Sequence, residues 1–337
     1  MHFFKKTMIL LISFLITAII VFYFYFYVNG PTVKAQSAIL IDAASGEIVY
    51  KKNEDIPLPS VSLSKMMTEY IVLEHIHKGT IKWDDRVKIS ENALHTAGEN
   101  IDITTRDRIT VRDLFHAMLL ASDNIATVSL AEHISKNEQR FTGLMNEKAK
   151  QLQLSSDSYF INATGLTNEQ NKESKMTALD ASKLAHHVIK DYPFILEMTQ
   201  LTSYKFTFKD IHVFNTNKML YSLDKKVKFK GVEGLQTSFT NAAGYSFTGT
   251  AKQGNKRLIS VVMGTSGENS MFIETKKLFT YGFKPSQNPS LQSLKDFVES
   301  WTCLLQFKNL FLQIITFLVI ILGLLFLHTR MKNTEDF

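Results

Sequence analysis

Two long apolar runs bracket this chain and limit what the rest of it can do. Residues 7–28, TMILLISFLITAIIVFYFYFYV, follow the basic head MHFFKK; residues 309–328, NLFLQIITFLVIILGLLFLH, precede TRMK. Each is long enough to cross a bilayer, which takes roughly 20 residues. The second run has no polar face, so it reads as a span and not as a helix lying on the surface. Lys5 and Lys6 precede the first run, and Arg330 and Lys332 follow the second. The positive-inside rule therefore puts both ends in the cytoplasm and residues 36 to 308 outside. The first run exceeds the roughly 7–15-residue core of a signal peptide, yet Val33-Lys34-Ala35 after it has the small-x-small form of a cleavage site. Cleavage after Ala35 and retention as an anchor both fit this pattern.

The chain thus divides into a signal or anchor segment (1–35), an exported domain (36–283), a linker (284–308), a membrane helix (309–328) and a cytoplasmic tail (329–337). The linker, which starts KPSQNPS, is too short for a second domain. An apolar content of 45% with 21% charged residues is that of a folded protein. The net charge of +6 fits an anionic partner such as a wall polymer or lipid headgroups, although solvated surface accounts for most excesses of this size. No basic stripe with interleaved aromatics is present, so the sequence offers no nucleic-acid surface. One cysteine, Cys303, excludes an intrachain disulfide and a cysteine-based metal site. His75 and His77 are two apart, which puts them on different helix faces and denies them metal-ligand spacing.

Within the exported part, strand-like runs come first and last. Ala38–Ile41 and Glu47–Tyr50 form a hairpin about Asp42-Ala43-Ala44-Ser45-Gly46. Helical periodicity covers Ser62 to about His77, ended by Gly79, and then Thr110–Leu120, Ser122–Ile134, Phe141–Leu152 and Thr177–Ile189. Thr110 can cap its helix, with Asp113 at the reciprocal position of a capping box. Val232–Thr237, Tyr245–Lys252 and Arg257–Met263 are strand-like, the last two joined by Gln253-Gly254-Asn255; Phe272–Tyr281 is helical. This order implies an α+β domain whose antiparallel sheet unites both ends of the chain, with an all-helical lobe inserted.

The chemistry starts at PLPSVSLSKMMTEYIVLE. Ser62 and Lys65 are three apart, on one face of a helix start. A helix N-terminus favours developing negative charge, and a desolvated lysine can titrate low enough to take a serine proton. Ser60 and Ser64 share that face less well. Alone, S-x-x-K is a weak signal, because serine caps helices and lysine decorates surfaces. Ser122-Asp123-Asn124 supplies context: S-x-x-K, S-D-N and K-T-G make up the active-site set of penicillin-binding proteins and class A β-lactamases, and two of the three occur here in that order. Ser122 offers a hydroxyl for proton relay; Asn124 offers an amide to hold a peptide carbonyl or to orient Lys65.

Beyond the motifs, AILIDAASGEIVYKKNEDIPLP, GENIDITTRDRITVRDLFHAMLLASDN, FINATGL, FNTNKML, GVEGLQTSFTNAAGYSFTGTA and FIETKKLFTYGF together resemble the penicillin-binding D-alanyl-D-alanine carboxypeptidases of peptidoglycan, over about residues 37 to 283. The resemblance implies a β-lactamase-like fold and an acyl-transfer enzyme without a metal or other cofactor. Its substrates would be peptidoglycan stem peptides, with β-lactam antibiotics as acylating inhibitors and the lipid bilayer as its support. It implies Ser62 as nucleophile, Lys65 as base, and the backbone N–H groups of Ser62 and Phe239 as oxyanion donors.

The third motif departs from the pattern. Gln236-Thr237-Ser238 stands where K-T-G is expected, which removes a cation and adds a side chain where substrate backbone should come close. Thr237 can still reach a carboxylate. Met271 stands where many relatives carry an arginine, and Ile125 replaces an aspartate after Asn124. Lys252, Lys256 and Arg257 are the candidates for compensating charge. The readings this leaves are an atypical carboxypeptidase, a D,D-endopeptidase, and a weak or inactive wall-binding homologue.

Overall fold

The computed structural model describes residues 13–15, 30–98, 100–168 and 170–284. The second apolar run, the linker beyond Lys284 and the tail lie outside the described residues, as does the first run apart from 13–15. Among the described residues no helix is long and apolar enough to cross a membrane.

The expected hairpin is β1 (Ser37–Asp42) and β2 (Ile48–Lys52), turned by Asp42, whose carboxylate accepts the Ala44 and Ser45 N–H groups. After β3 (Leu58–Pro59), a single 3₁₀ turn, Val61–Ser64, leads into α1 (Lys65–His77). The helical lobe follows: β4 (Arg86–Lys88), α2 (Glu91–Leu94), β5 (Arg108–Thr110), α3 (Val111–Ala121), α4 (Asn124–Ser135) and α5 (Glu138–Gln151). It continues through β6 (Lys175–Met176), α6 (Ala178–Asp191), α7 (Ile195–Thr199), β7 (Ser203–Lys205) and β8 (His212–Phe214). The chain then returns as β9 (Val232–Thr240), β10 (Gly244–Gln253), β11 (Lys256–Thr265) and α8 (Glu268–Gly282).

Five strands form one antiparallel sheet in the order β2-β1-β11-β10-β9. Ser37 lies opposite Met263, so the two ends of the domain meet at the centre of the sheet. Side chains alternate across β1. Ile39 and Ile41 join the core shared with α1, α3 and α6, while Ala38 and Leu40 join Phe272, Leu278 and Phe279 of α8 on the other face. The sheet is thus buried on both sides, between the helical lobe and α8.

Helix α1 is buried all round, with Lys65 through Leu73 in the core of the lobe. Two local expectations are corrected. Ser122 is not in a helix; it ends α3 in a left-handed conformation (φ 58°, ψ 32°), and Asp123 caps α4 by accepting the Ala126 N–H. Thr110 does cap α3, but the Asp113 carboxylate turns away to accept hydrogen bonds from Tyr204, and from the Thr207 hydroxyl and N–H. The short strand pairs β3–β6, β4–β5 and β7–β8 have too few residues to show a period and were not expected.

Candidate active site

Three separate elements converge where β9 faces the helical lobe. Ser62 lies in the 3₁₀ turn ahead of α1. Val61 before it has φ 41°, a conformation that a β-branched residue rarely adopts. This turn needs Gly165: a Cβ there, at φ +79°, would lie 1.9 Å from the Val61 carbonyl oxygen and 2.7 Å from Ser64 Oγ. Ser60 and Ser64, the other two serines of the stretch, are buried and bonded to each other at 2.8 Å, which leaves Ser62 as the one facing the lysine.

Lys65 begins α1 and is 1% exposed. Its Nζ donates to Ser62 Oγ at 3.2 Å, to Ser122 Oγ at 2.9 Å and to the Ser122 carbonyl at 2.7 Å. The left-handed turn at Ser122 is what presents both its oxygens to the lysine. Burial pushes Lys65 down to about 7, against the opposing pull of Asp123 and Glu69. A serine hydroxyl at hydrogen-bond distance from an amine poised near neutrality is an activated nucleophile.

Strand β9 closes the site. Gln236 Nε2 donates to Ser122 Oγ at 3.1 Å and to the Thr237 carbonyl at 3.0 Å; the second bond, which only a nitrogen can make, orients the amide. Thr237 Oγ1 pairs with Thr216 Oγ1 at 2.6 Å, and Thr216 N donates to Leu120 O, joining β9 to the end of α3. Ser238 Oγ is turned onto the Ser60 carbonyl at 3.3 Å. Phe239 is half exposed and its ring stacks on Tyr245 at 4.0 Å.

Asn124 sits beside this group but does not touch Lys65. Its Nδ2 donates to the Ala97 carbonyl at 2.8 Å, and its buried Oδ1 has no partner among the described residues. The candidates for compensating charge do not reach the site. Gln236 lies opposite Thr248, whereas Lys252 is four residues further along β10. Lys256 donates to the Gly282 carbonyl, and Arg257 pairs with Glu233. Met271 is packed in the core under α8.

A buried acid beside Lys65 escaped the sequence reading. Glu69, one turn beyond Lys65 on α1, is 0% exposed, and neither carboxyl oxygen has a partner among the described residues. Burial pushes it up to about 8, with Lys65 pulling it down. Its i, i+4 spacing from Lys65 was the available signal. Asn215 and Asn217 hold the loop ahead of β9: Asn215 Nδ2 donates to the Thr199 and Leu201 carbonyls, and Asn217 Oδ1 accepts the Met219 N–H.

Comparison with known proteins identifies the family and the fold. Residues 25–267 match the sequence model of the peptidase family S11, described as D-alanyl-D-alanine carboxypeptidase. The chain is 35% identical over 253 residues to D-alanyl-D-alanine carboxypeptidase DacF of Bacillus subtilis, covering 74% of this chain and 62% of that protein. It is 36% identical over 268 residues to DacA of Haemophilus influenzae, covering 77% and 64%. Its fold matches ampicillin-bound penicillin-binding protein D2 of Listeria monocytogenes with a TM-score of 0.68 at 33% identity, over 75% of this chain and 100% of that one. The chain thus spans less than two thirds of the length of these curated relatives.

Proposed function

This chain belongs to the D-alanyl-D-alanine carboxypeptidase family of serine peptidases, and on that premise we propose that it removes the terminal D-alanine from peptidoglycan stem pentapeptides through an acyl-enzyme on Ser62. The observation that carries this reading is the Lys65 amine, buried and bonded at once to Ser62 Oγ and to Ser122.

In the proposed reaction Ser62 Oγ attacks the carbonyl carbon of the penultimate D-alanine and gives its proton to neutral Lys65. The Ser62 and Phe239 N–H groups receive the oxyanion. Collapse breaks the peptide bond, and the leaving amine takes a proton relayed from Lys65 through Ser122. Water then attacks the ester, returning the proton to Ser62 and releasing the shortened stem. β-Lactams would acylate Ser62 by the same first step. The exported domain would work on the outer face of the membrane, held there by the apolar ends of the chain.

Neutral Gln236 favours a second reading for substrate choice. Without a cation at this position, the site loses a contact to a free carboxylate. A D,D-endopeptidase acting on internal bonds that lack such a carboxylate, or a wall-binding homologue with little turnover, would tolerate that loss.

Incubation of the full chain with fluorescent penicillin, with Ser62→Ala as control, separates enzyme from binding protein. Absence of Ser62-dependent covalent label would refute the enzyme reading. Release of D-alanine from a pentapeptide, compared with cleavage of a cross-linked stem dimer, then separates carboxypeptidase from endopeptidase.

A further inference from the structure

The two ends of the described domain leave it at one place, the C-terminal end of α8. Gly30, two residues past the first apolar run, sits against Tyr50 and Tyr281; a Cβ there would lie 2.9 Å from Tyr50 and 3.5 Å from Tyr281. At the other end, Phe283 and Lys284 follow directly on the last turn of α8. The segment between β8 and β9 runs along α8, from Lys218, which pairs with Glu268 at the start of the helix, to Phe229 at its C-terminal end. The Phe229 ring lies 5.4 Å from that of Phe279 and 6.1 Å from that of Phe283. Lys276 Nζ donates to the carbonyl oxygens of Lys225 and Lys228, which ties the segment to α8.

What this segment shows to solvent is unusual for a loop. Leu223 is 95% exposed, and Tyr221 is half exposed beside it. Lys225, Lys226, Lys228 and Lys230 follow, all exposed. Asp224 is the only acidic residue from 221 to 230. None of the four lysines pairs with a carboxylate among the described residues. An apolar tip ringed by unpaired cations suits a surface that is negative outside and apolar just beneath.

We propose that Leu223 and the Lys225–Lys230 run dock on anionic phospholipid headgroups of the membrane that anchors the chain, with Leu223 inserted below the headgroups. The occupant follows from chain length. Gly30 is only two residues from residues 7–28, so a span there holds this end of α8, and the segment packed on it, at the bilayer surface. The proposal rests on the reading of the apolar runs as membrane spans. It also fixes an orientation: β9 starts at this segment with Val232 and carries Gln236–Phe239 toward its other end, so the docked domain points its site away from the bilayer.

The test uses the full chain reconstituted into vesicles of phosphatidylcholine, with or without phosphatidylglycerol. An environment-sensitive dye is placed by Leu223→Cys in a Cys303→Ser background, and spin-labelled lipid is the quencher. Quenching is expected to be severalfold stronger with phosphatidylglycerol. It should fall to the phosphatidylcholine level in the Lys225→Glu, Lys226→Glu, Lys228→Glu variant, while penicillin labelling stays unchanged. Flotation of the same vesicles after carbonate extraction reports anchoring separately. Flotation with a dye that is unquenched, or quenched equally in both lipids or equally in the triple variant, overturns docking alone. Loss of flotation removes the anchoring premise and the docking proposal with it.

Discussion

The Gln236 amide and the Lys65 amine donate to the same atom, Ser122 Oγ, at 3.1 Å and 2.9 Å. A serine hydroxyl has two acceptor lone pairs and one proton. With both lone pairs engaged, Ser122 is left to act as a donor, which is the role a relay needs toward a leaving amine. Gln236 therefore keeps the geometry of this relay while contributing no charge.

Restoring that charge should be measurable. Charge-assisted hydrogen bonds are worth about 1.5–3 kcal/mol, so Gln236→Lys is expected to raise D-alanine release from a pentapeptide by about tenfold or more. The added cation should also depress Lys65 and extend acylation to lower pH. A neutral or harmful effect in stopped-flow penicillin acylation would sink the electrostatic account of this variant.

The base must be neutral to act, and burial holds Lys65 near 7. Acylation should therefore rise with pH through about 7. Glu69, pushed up to about 8, is still protonated there, and its charge raises Lys65 only as it ionises above that range. Glu69→Met, which replaces a buried acid without a partner among the described residues by an apolar chain of similar size, should leave the acidic limb of acylation near 7 in place, because the acid it replaces is still protonated there. Its stability effect has a definite sign. Glu69 is raised from 4.5 to about 8 in the folded state, so the folded protein holds the extra proton, and the stability linked to it is lost as pH climbs between those values. The variant should escape that loss and gain about 1–4 kcal/mol over the parent at pH 8, less at pH 5, by urea denaturation.

Gly165 packs against the turn that carries Ser62. With φ +79° and the Val61 carbonyl in the way, Gly165→Ala is expected to cost about 2 kcal/mol or more and to slow acylation by displacing the turn that carries Ser62. A thermal melt and a labelling rate both unchanged from the parent would show that the turn does not depend on this glycine.

The small-x-small stretch is built into the fold. Val33 is buried, Lys34 N donates to Glu274, and Lys52 Nζ donates to the Val33 and Ala35 carbonyls at 2.9 Å and 2.7 Å. Cutting after Ala35 would forfeit these contacts and the burial of Val33, together about 2–4 kcal/mol. Retention is the expected outcome, so peptide mass mapping of membrane-extracted protein should recover residues 30–36 joined to β1. An N-terminus at Gln36 would contradict it.

The parts of the site that could be read from the sequence are those whose pattern is local. Ser62 and Lys65 are a turn apart, and Ser122-Asp123-Asn124 and Gln236-Thr237-Ser238 are each contiguous. What spacing could not show is tertiary. Glu69 reads as an ordinary charged residue on a helix, and only the burial of α1 on all sides makes it an internal acid. Asp113 has the position of a capping residue, yet its carboxylate is claimed by Tyr204 and Thr207 from the other side of the lobe. The compensating role expected of Lys252, Lys256 and Arg257 failed for a geometric reason, since strand register carries them away from Gln236.

The pairing of Ser37 with Met263 also bears on when the proposed activity could start. The export proposed above, from the N-terminal side, would deliver Ser62, Lys65 and Ser122 well before β9 and β11. Strand β1 would then wait for its partner β11, and the cleft for its third wall, until nearly the whole domain had crossed. On the proposed export, emergence from the translocation channel would act as a timer, and a half-exported molecule would have no assembled site with which to trap a substrate or an antibiotic.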